Sequence, residues 1–312
     1  FGCSLRGLPR AATPVARGIW TGSQSCLLTT SCNGCLQYKK LAKLDDEEAE
    51  ELNLEVSATA MCSASPPKSE RGAAGGGAAG KLTLSAPVET VNLNGTILGN
   101  AAAGYQGGAF ALNTGGSVDL DNLADELAAS GVTQSISVVT GAGNLVLSAG
   151  NILTARVVSL TADGGTGDFS DSTDGNILIN GTINASGTAG GTIALYGKSS
   201  VDLEGALIAT GSSATEQGGT VTVGTMGIAD GTYNATYGYE NISSAQDGQN
   251  NYLYSGKITL GANSVIDVGG TAGGLSQGTV NFRAPLLDNG DVNIEVKSHA
   301  QIIGSRATTL EA

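Results

Sequence analysis

The five cysteines lie within the first 62 residues, where their spacing could support disulfides or a metal site. Cys32 and Cys35 have C-x-x-C spacing, but zinc sites commonly use two such pairs and only one is present. A haem attachment would need a histidine at position 36, where Leu36 stands. We predict disulfides formed in an oxidising compartment, with a metal site or a free thiol as alternatives. The candidate residues are Cys3, Cys26, Cys32, Cys35 and Cys62.

Four aspartates fall within the insert at residues 162–175. Calcium prefers oxygen ligands and tolerates irregular geometry, so such a loop could bind it. However, Asp168 stands one position early for the calcium-binding G-G-x-G-x-D repeat, and the spacing does not match an EF-hand loop. A solvated acidic loop is therefore the expectation and calcium the alternative. The candidate ligands are Asp163, Asp168, Asp171 and Asp174.

Five tyrosines lie in and just beyond a second insert, at residues 226–249. A tyrosine offers a rigid apolar face and a hydroxyl, which suit contact with carbohydrate or protein. The alternative, equally supported, is that the rings pack against the rest of the fold. The candidate contact residues are Tyr233, Tyr237, Tyr239, Tyr252 and Tyr254.

Residues for catalysis are few. His299 is the only histidine, so a Ser/His/Asp arrangement would have to be built around it, and its turn-like surroundings predict a surface position. Two carboxylates on one face would be enough to cleave a neutral glycoside, but the sequence marks no such pair. We expect no enzymatic activity and no cofactor other than possible calcium.

A glycine-framed unit repeats at a spacing of about 24 to 28 residues, the period of stacked repeat folds. Residues 181–187 and 190–195 match residues 205–211 and 218–223, each time as an apolar strand, a glycine turn, a glycine pair and another apolar strand. The pattern predicts short parallel strands, with a β-sandwich as the competing fold. It places Ile193, Leu195, Val221 and Val223 inward and Thr192, Thr220 and Thr222 outward.

Composition divides the chain into three regions. Residues 1–62 hold the cysteines and, at 41–55, a pattern typical of a short acidic helix; residues 63–80 have linker composition; residues 81–312 are predicted to form the repeat fold with almost no helix. Strands are predicted at 81–84, 108–112, 144–147, 176–179, 257–260 and 279–282.

The formal net charge is −13, and residues 81–312 carry all of that excess. Nucleic acid and anionic membranes are bound mainly through Lys and Arg, so neither is an expected partner. The sequence contains no run of about 18 apolar residues, the length that would predict a membrane-spanning helix. Because the sequence opens on Phe1, we expect it to be part of a longer protein whose targeting signal lies upstream.

The repeats at 181–195 and 205–223 resemble those of filamentous haemagglutinin-type exoproteins, adhesins exported by two-partner secretion. The resemblance covers roughly residues 81–312 and does not include the domain that the transporter recognises. It implies an all-β, right-handed parallel β-helix, a secreted or bacterial cell-surface location, and an outer-membrane barrel transporter as export partner.

The expected function that follows from the resemblance is structural and adhesive: a stalk or fibre segment that attaches to surfaces or cells. Expected partners are carbohydrate or cell-surface protein, and further coils or another copy stacked end to end. The alternative is a polysaccharide-binding or polysaccharide-cleaving β-helix.

Overall fold

The computed structural model describes two compact units that consist mostly of β-strands. Most neighbouring strands pair in parallel. The first unit is Phe1–Gly116 with Glu126–Ile136, and the second is Ser117–Asp125 with Ser137–Ala312. The described residues are 15–17, 27–31, 36–38, 54–56, 58–61, 78–93, 95–164, 174–225, 233–234, 238–239, 256–271, 277–287 and 290–312.

The first unit begins with strands where the sequence predicts an irregular or helical segment. Strand β2 pairs antiparallel with β6, whereas β4 and β5 pair in parallel with β7 and β8. The predicted helix is wrong at residues 54 and 55, which lie in β4, and its residues 41–53 fall outside the described part. The strands are β1 Val15–Arg17, β2 Leu27–Ser31, β3 Leu36–Tyr38, β4 Leu54–Val56, β5 Ala58–Met61, β6 Lys81–Ala86, β7 Val91–Leu93, β8 Ile97–Leu98 and β9 Gly108–Thr114.

An eleven-residue helix, α1 Leu120–Ser130, precedes strand β10 Val132–Thr140. Asp119 caps its start, because one carboxylate oxygen accepts the backbone N–H of Asn122 at 3.1 Å. Within the described part of residues 81–312, α1 is the only helix, so the prediction of almost no helix beyond residues 41–55 holds apart from these eleven residues. The signal was present in the sequence, since the buried residues have the i, i+3, i+4, i+7 spacing of an amphipathic helix. They are Leu120, Leu123, Ala124 and Leu127.

In the second unit, successive strands visit three parallel sheets in turn. The sheet orders are β11-β14-β17-β22-β25, β12-β15-β18-β23-β26 and, within the larger third sheet, β13-β16-β19-β24-β27. We call each set of three successive strands a coil, so that the first coil is β11–β13 and the fifth is β25–β27. The intervening β20 and β21 form an antiparallel pair of their own.

The bounds of these strands follow the predicted repeat closely. They are β11 Leu145–Leu147, β12 Ile152–Thr154, β13 Val157–Ala162, β14 Asn176–Ile179, β15 Thr182–Asn184, β16 Thr192–Gly197, β17 Ser200–Leu203, β18 Ala206–Ile208, β19 Thr220–Thr225, β20 Tyr233–Asn234, β21 Gly238–Tyr239, β22 Lys257–Leu260, β23 Val265–Asp267, β24 Gly278–Arg283, β25 Ile294–Val296, β26 Gln301–Ile303 and β27 Ser305–Glu311.

The core is built from aliphatic side chains that stack in register from coil to coil. Ile193 pairs with Val221 and Val221 with Val280, and each is buried. The alternation along β16 and β19 confirms the predicted faces. Ile193, Leu195, Val221 and Val223 are buried, whereas Thr192 is exposed and Thr220 and Thr222 are half-buried.

The glycine pairs allow two stretches of backbone to approach closely. A Cβ at Gly191 would collide with the carbonyl oxygens of Arg156 and Ala185. Gly219 repeats this arrangement one coil further on, and its N–H donates to the carbonyl oxygen of Ala209 at 2.7 Å. The recurring glycine therefore marks a place where only a residue without a side chain fits.

Candidate functional site

The residues singled out in the sequence are only partly described. All five cysteines fall outside the described residues, as do Asp168, Asp171, Tyr237, Tyr252 and Tyr254. Tyr233 and Tyr239 are register partners across the β20–β21 pair. His299 is exposed in a turn with a φ of 80°, which agrees with its predicted surface position.

Both inserts begin at the same corner of the coils in the second unit. The acidic insert joins β13 to β14 and the tyrosine insert joins β19 to β22, so each connects the third sheet to the first sheet of the next coil. Between them, β16 and β17 are joined by only Lys198 and Ser199. We call this stack of connections the insert corner. Sequence spacing alone could not place the two inserts together, since about sixty residues separate their starts.

Two buried hydroxyls lie at the insert corner without a hydrogen-bond partner among the described residues: Ser199 Oγ and Thr225 Oγ1. Ser199 is 0% exposed and Thr225 is 5% exposed. An unpaired buried hydroxyl is costly, on the order of 1–3 kcal/mol. The insert corner is thus the place in the second unit where polar groups are least satisfied.

A hydrogen-bonded polar row runs along the outer face of the first sheet. The Asn144 side-chain oxygen accepts from the Asn176 amide at 2.9 Å, and Ser200 Oγ donates to the Asn176 side-chain oxygen at 2.8 Å. Asp202 lies 3.2 Å from the same Ser200 hydroxyl. These groups satisfy one another across three successive coils, so the row stabilises the stack.

Asp202 and Glu295 occupy the same column of that face, with Thr259 between them. Two strand spacings put them about 9–10 Å apart, close to the range of inverting glycosidase carboxylates. Hydrogen bonds from Lys257 and Lys297, together with their positive charges, lower the pKa of Glu295 to about 2. Because a glycosidase acid needs a raised pKa, Glu295 does not suit the role of the acid in such a pair.

The outer face of the third sheet is mainly polar and nearly neutral, and we call its columns the threonine face. Thr220 Oγ1 and Thr279 Oγ1 approach to 3.2 Å on neighbouring strands. Tyr196 is 36% exposed, and a Cβ on its register partner Gly224 would lie 3.5 Å from Tyr196 Cδ2. The columns are Val157–Thr192–Thr220–Thr279–Ala307, Ser159–Ala194–Thr222–Asn281–Thr309 and Thr161–Tyr196–Gly224–Arg283–Glu311.

Hydroxyls and a partly exposed ring on one face of a sheet suit contact with a carbohydrate or a protein. Sequence analysis placed the threonines outward but did not single out Tyr196 or Arg283, because their meeting depends on coil-to-coil register. The sequence did contain a signal for Tyr196: it follows Leu195, which is predicted to point inward, so alternation places Tyr196 on the outer face.

Comparison with protein-family models, with curated proteins and with solved structures finds no match to this chain. Among the described residues, no group of three or more His, Cys, Asp or Glu side chains could hold a metal ion. Within the same residues, no helix is long and apolar enough to cross a membrane.

Proposed function

We propose that the second unit is a right-handed parallel β-helix and that the chain is a segment of an exported structural or adhesive surface protein. The observation that carries the proposal is the register: three parallel ladders advance together, coil after coil, with aliphatic side chains inward. In such a stack each coil contacts only its neighbours, so coils can be added without changing the core. Length and display are what a stalk or fibre needs.

Export through an outer-membrane barrel and location at the bacterial surface are part of the same proposal. They are supported by the resemblance of the repeats to filamentous haemagglutinin-type exoproteins and by the stack of five coils. The proposal includes neither a nucleic-acid partner nor a catalytic cofactor. It includes disulfides among the cysteines, which are the expected result of export to an oxidising compartment.

Attachment is assigned to the threonine face, with the tyrosine insert as a further contact loop. Tyr196 would stack on a sugar ring or an apolar side chain, while Thr220, Thr222 and Thr279 offer hydroxyls around it. This arrangement also favours a second candidate function, the binding of neutral polysaccharide without cleavage.

The fifth coil is proposed to be covered by another β-helical coil in the assembled protein. Its strand edge carries the exposed apolar side chains Ile302, Ile303 and Leu310. Unpaired strand edges invite pairing with a further strand. Sedimentation of the 312-residue chain should therefore reveal concentration-dependent association. A monomer at every concentration would contradict this part of the proposal alone.

A crystal structure of the chain tests the fold, since a left-handed stack or a sandwich would refute it. The function is tested by immobilising the chain and measuring the binding of neutral and acidic polysaccharides and of cell-surface glycoproteins. Tyr196→Ala should weaken binding severalfold. Tyr105→Ala, at a 58% exposed tyrosine of the first unit, is the matched control and should not. Release of reducing sugar would instead identify a polysaccharide-cleaving enzyme.

A further inference from the structure

The inward columns of the second unit reach the fifth coil and are left open there. Three side chains of that coil are exposed although their register partners in the fourth coil are buried. The pairs are Leu260–Val296, Ile266–Ile302 and Phe282–Leu310. Strands β25, β26 and β27 are the last members of their sheets, so no described strand pairs with their outer edges. The fifth coil therefore exposes a cross-section of the core together with three strand edges.

The other coils of the second unit do not share this exposure. In the first coil, the inward side chains of Leu145, Leu147 and Leu153 are buried, so that coil is already covered within the chain. The inward side chains of the three middle coils are buried as well. The fifth coil is the one coil whose core side chains lack a neighbour.

The described strands of the first unit do not offer a matching coil to cover it. Strands β6, β7 and β8 are already paired on one side with β2, β4 and β5. The outermost strands of these sheets, β1, β3 and β4, have three residues each, and β1 and β3 pair antiparallel with their neighbours. Very short edge strands are one way in which proteins discourage edge pairing. The described strands of the first unit are therefore poor acceptors for the fifth coil of another copy.

The charge of the fifth coil favours contact with an identical coil. The chain has a formal net charge of −13, but residues 294–311 carry two acidic and two basic side chains. They are Glu295, Glu311, Lys297 and Arg306. Like charges placed opposite each other across an interface oppose association, and two fifth coils bring no net charge together.

We propose that a second copy of this chain covers the fifth coil, with the two fifth coils related by a twofold axis. The inference rests on the cover included in the proposed function, and it names the source of that cover. Because both copies use the same surface, the contact is closed and association stops at a dimer. The rotation reverses strand direction, so β27 meets β27 of the other copy antiparallel. Arg306 is the extra residue at the register shift between β24 and β27, which leaves residues 307–311 as the regular part of that edge.

The test is sedimentation equilibrium of the 312-residue chain over a wide range of concentration, which should show monomer and dimer without larger species. Ile302→Lys should raise the dissociation constant of the dimer by about tenfold or more, because the contact would bury a charge without a partner. Ile152→Lys is the matched control, since Ile152 is also an exposed isoleucine of the second sheet but belongs to the first coil. It should leave the dissociation constant unchanged.

Thermal melting at low concentration checks that both variants fold, which is expected because both isoleucines are already partly in water. Oligomers that grow beyond the dimer would overturn the twofold arrangement and leave the proposed cover in place. Dimers that Ile302→Lys does not weaken would overturn the assigned surface. A monomer at every concentration would overturn this inference and the cover together, whereas polysaccharide binding by the threonine face is measured separately and would not be affected.

Discussion

The fourth and fifth coils of the second unit pair strand by strand, with one register shift at Gly278–Thr279, yet they bury their side chains to very different extents. Ile266 in β23 is 1% exposed, whereas its partner Ile302 in β26 is 39% exposed. Phe282 in β24 is 2% exposed and its partner Leu310 in β27 is 59% exposed. The strands are similar in length and pairing, so the difference comes from the fourth coil having a neighbour on both sides. Burial in this unit is supplied by adjacent coils.

The largest expected effect follows from placing a charge inside a coil that has two neighbours. Val221→Asp buries an unpaired carboxylate between Ile193 and Val280 and should cost at least about 3 kcal/mol of unfolding free energy. Thr222→Asp, one residue along on the threonine face, should cost less than about 0.5 kcal/mol. Denaturant unfolding of both variants measures the difference. Equal losses would mean that the assigned faces of β19 are wrong.

A cavity-forming pair of substitutions tests the coil comparison directly. Ile266→Ala should lose about 3 kcal/mol, because the cavity is enclosed by neighbouring coils. Ile302→Ala in the fifth coil should lose less than about 1 kcal/mol, since the side chain is already partly in water. Both are measured by denaturant unfolding at low protein concentration. If the two losses were alike, the fifth coil would be covered in solution, as end-to-end association predicts.

The coil fold could be predicted because its signals are local. Alternation fixes which face of β16 and β19 is buried, and the recurring glycines mark close backbone approach at Gly191 and Gly219. Strands β2, β4 and β5 were missed, because their partners β6, β7 and β8 lie beyond the first 62 residues. Helix α1 was missed although its apolar spacing is helical.

The sites were harder to predict than the fold. Only two of the four candidate calcium ligands, Asp163 and Asp174, fall in the described residues. Tyr196 and Arg283 share a column of the threonine face, yet nothing in the sequence links two residues 87 positions apart. Such a meeting depends on coil register, which no local pattern encodes.

Glycines allow a sharper test of close approach between coils. Gly191→Ala places a Cβ against the carbonyl oxygens of Arg156 and Ala185 and should cost about 1–3 kcal/mol through forced backbone shifts. Gly224→Ala is the control, because its nearest neighbour, Tyr196 Cδ2, would be at 3.5 Å, an ordinary contact. Its unfolding free energy should change by less than about 0.5 kcal/mol. A tolerated Gly191→Ala would show that the glycine pair has another purpose.

The smallest expected effect concerns Glu126 in the first unit, on helix α1. Burial raises the pKa of Glu126 above 4.5, opposed by a hydrogen bond from the backbone of Ile97, and Oε1 has no partner among the described residues. Because the folded-state pKa is raised, the folded state binds the proton more tightly. The stabilisation that this tighter proton binding gives is complete below the unfolded-state pKa and is lost as pH rises through the folded-state pKa.

Glu126→Gln removes the charge and should therefore stabilise the protein at pH 7, while matching the natural chain near pH 4. The gain should stay below about 1 kcal/mol, because Glu126 is only half-buried and solvent screens its charge. Asp125→Asn, at the exposed neighbouring position, is the control and should show no such difference between the two pH values. Denaturant unfolding at pH 4 and pH 7 gives the comparison. A Glu126→Gln variant less stable than the natural chain at pH 7 would mean that the carboxylate has a favourable partner in the folded state.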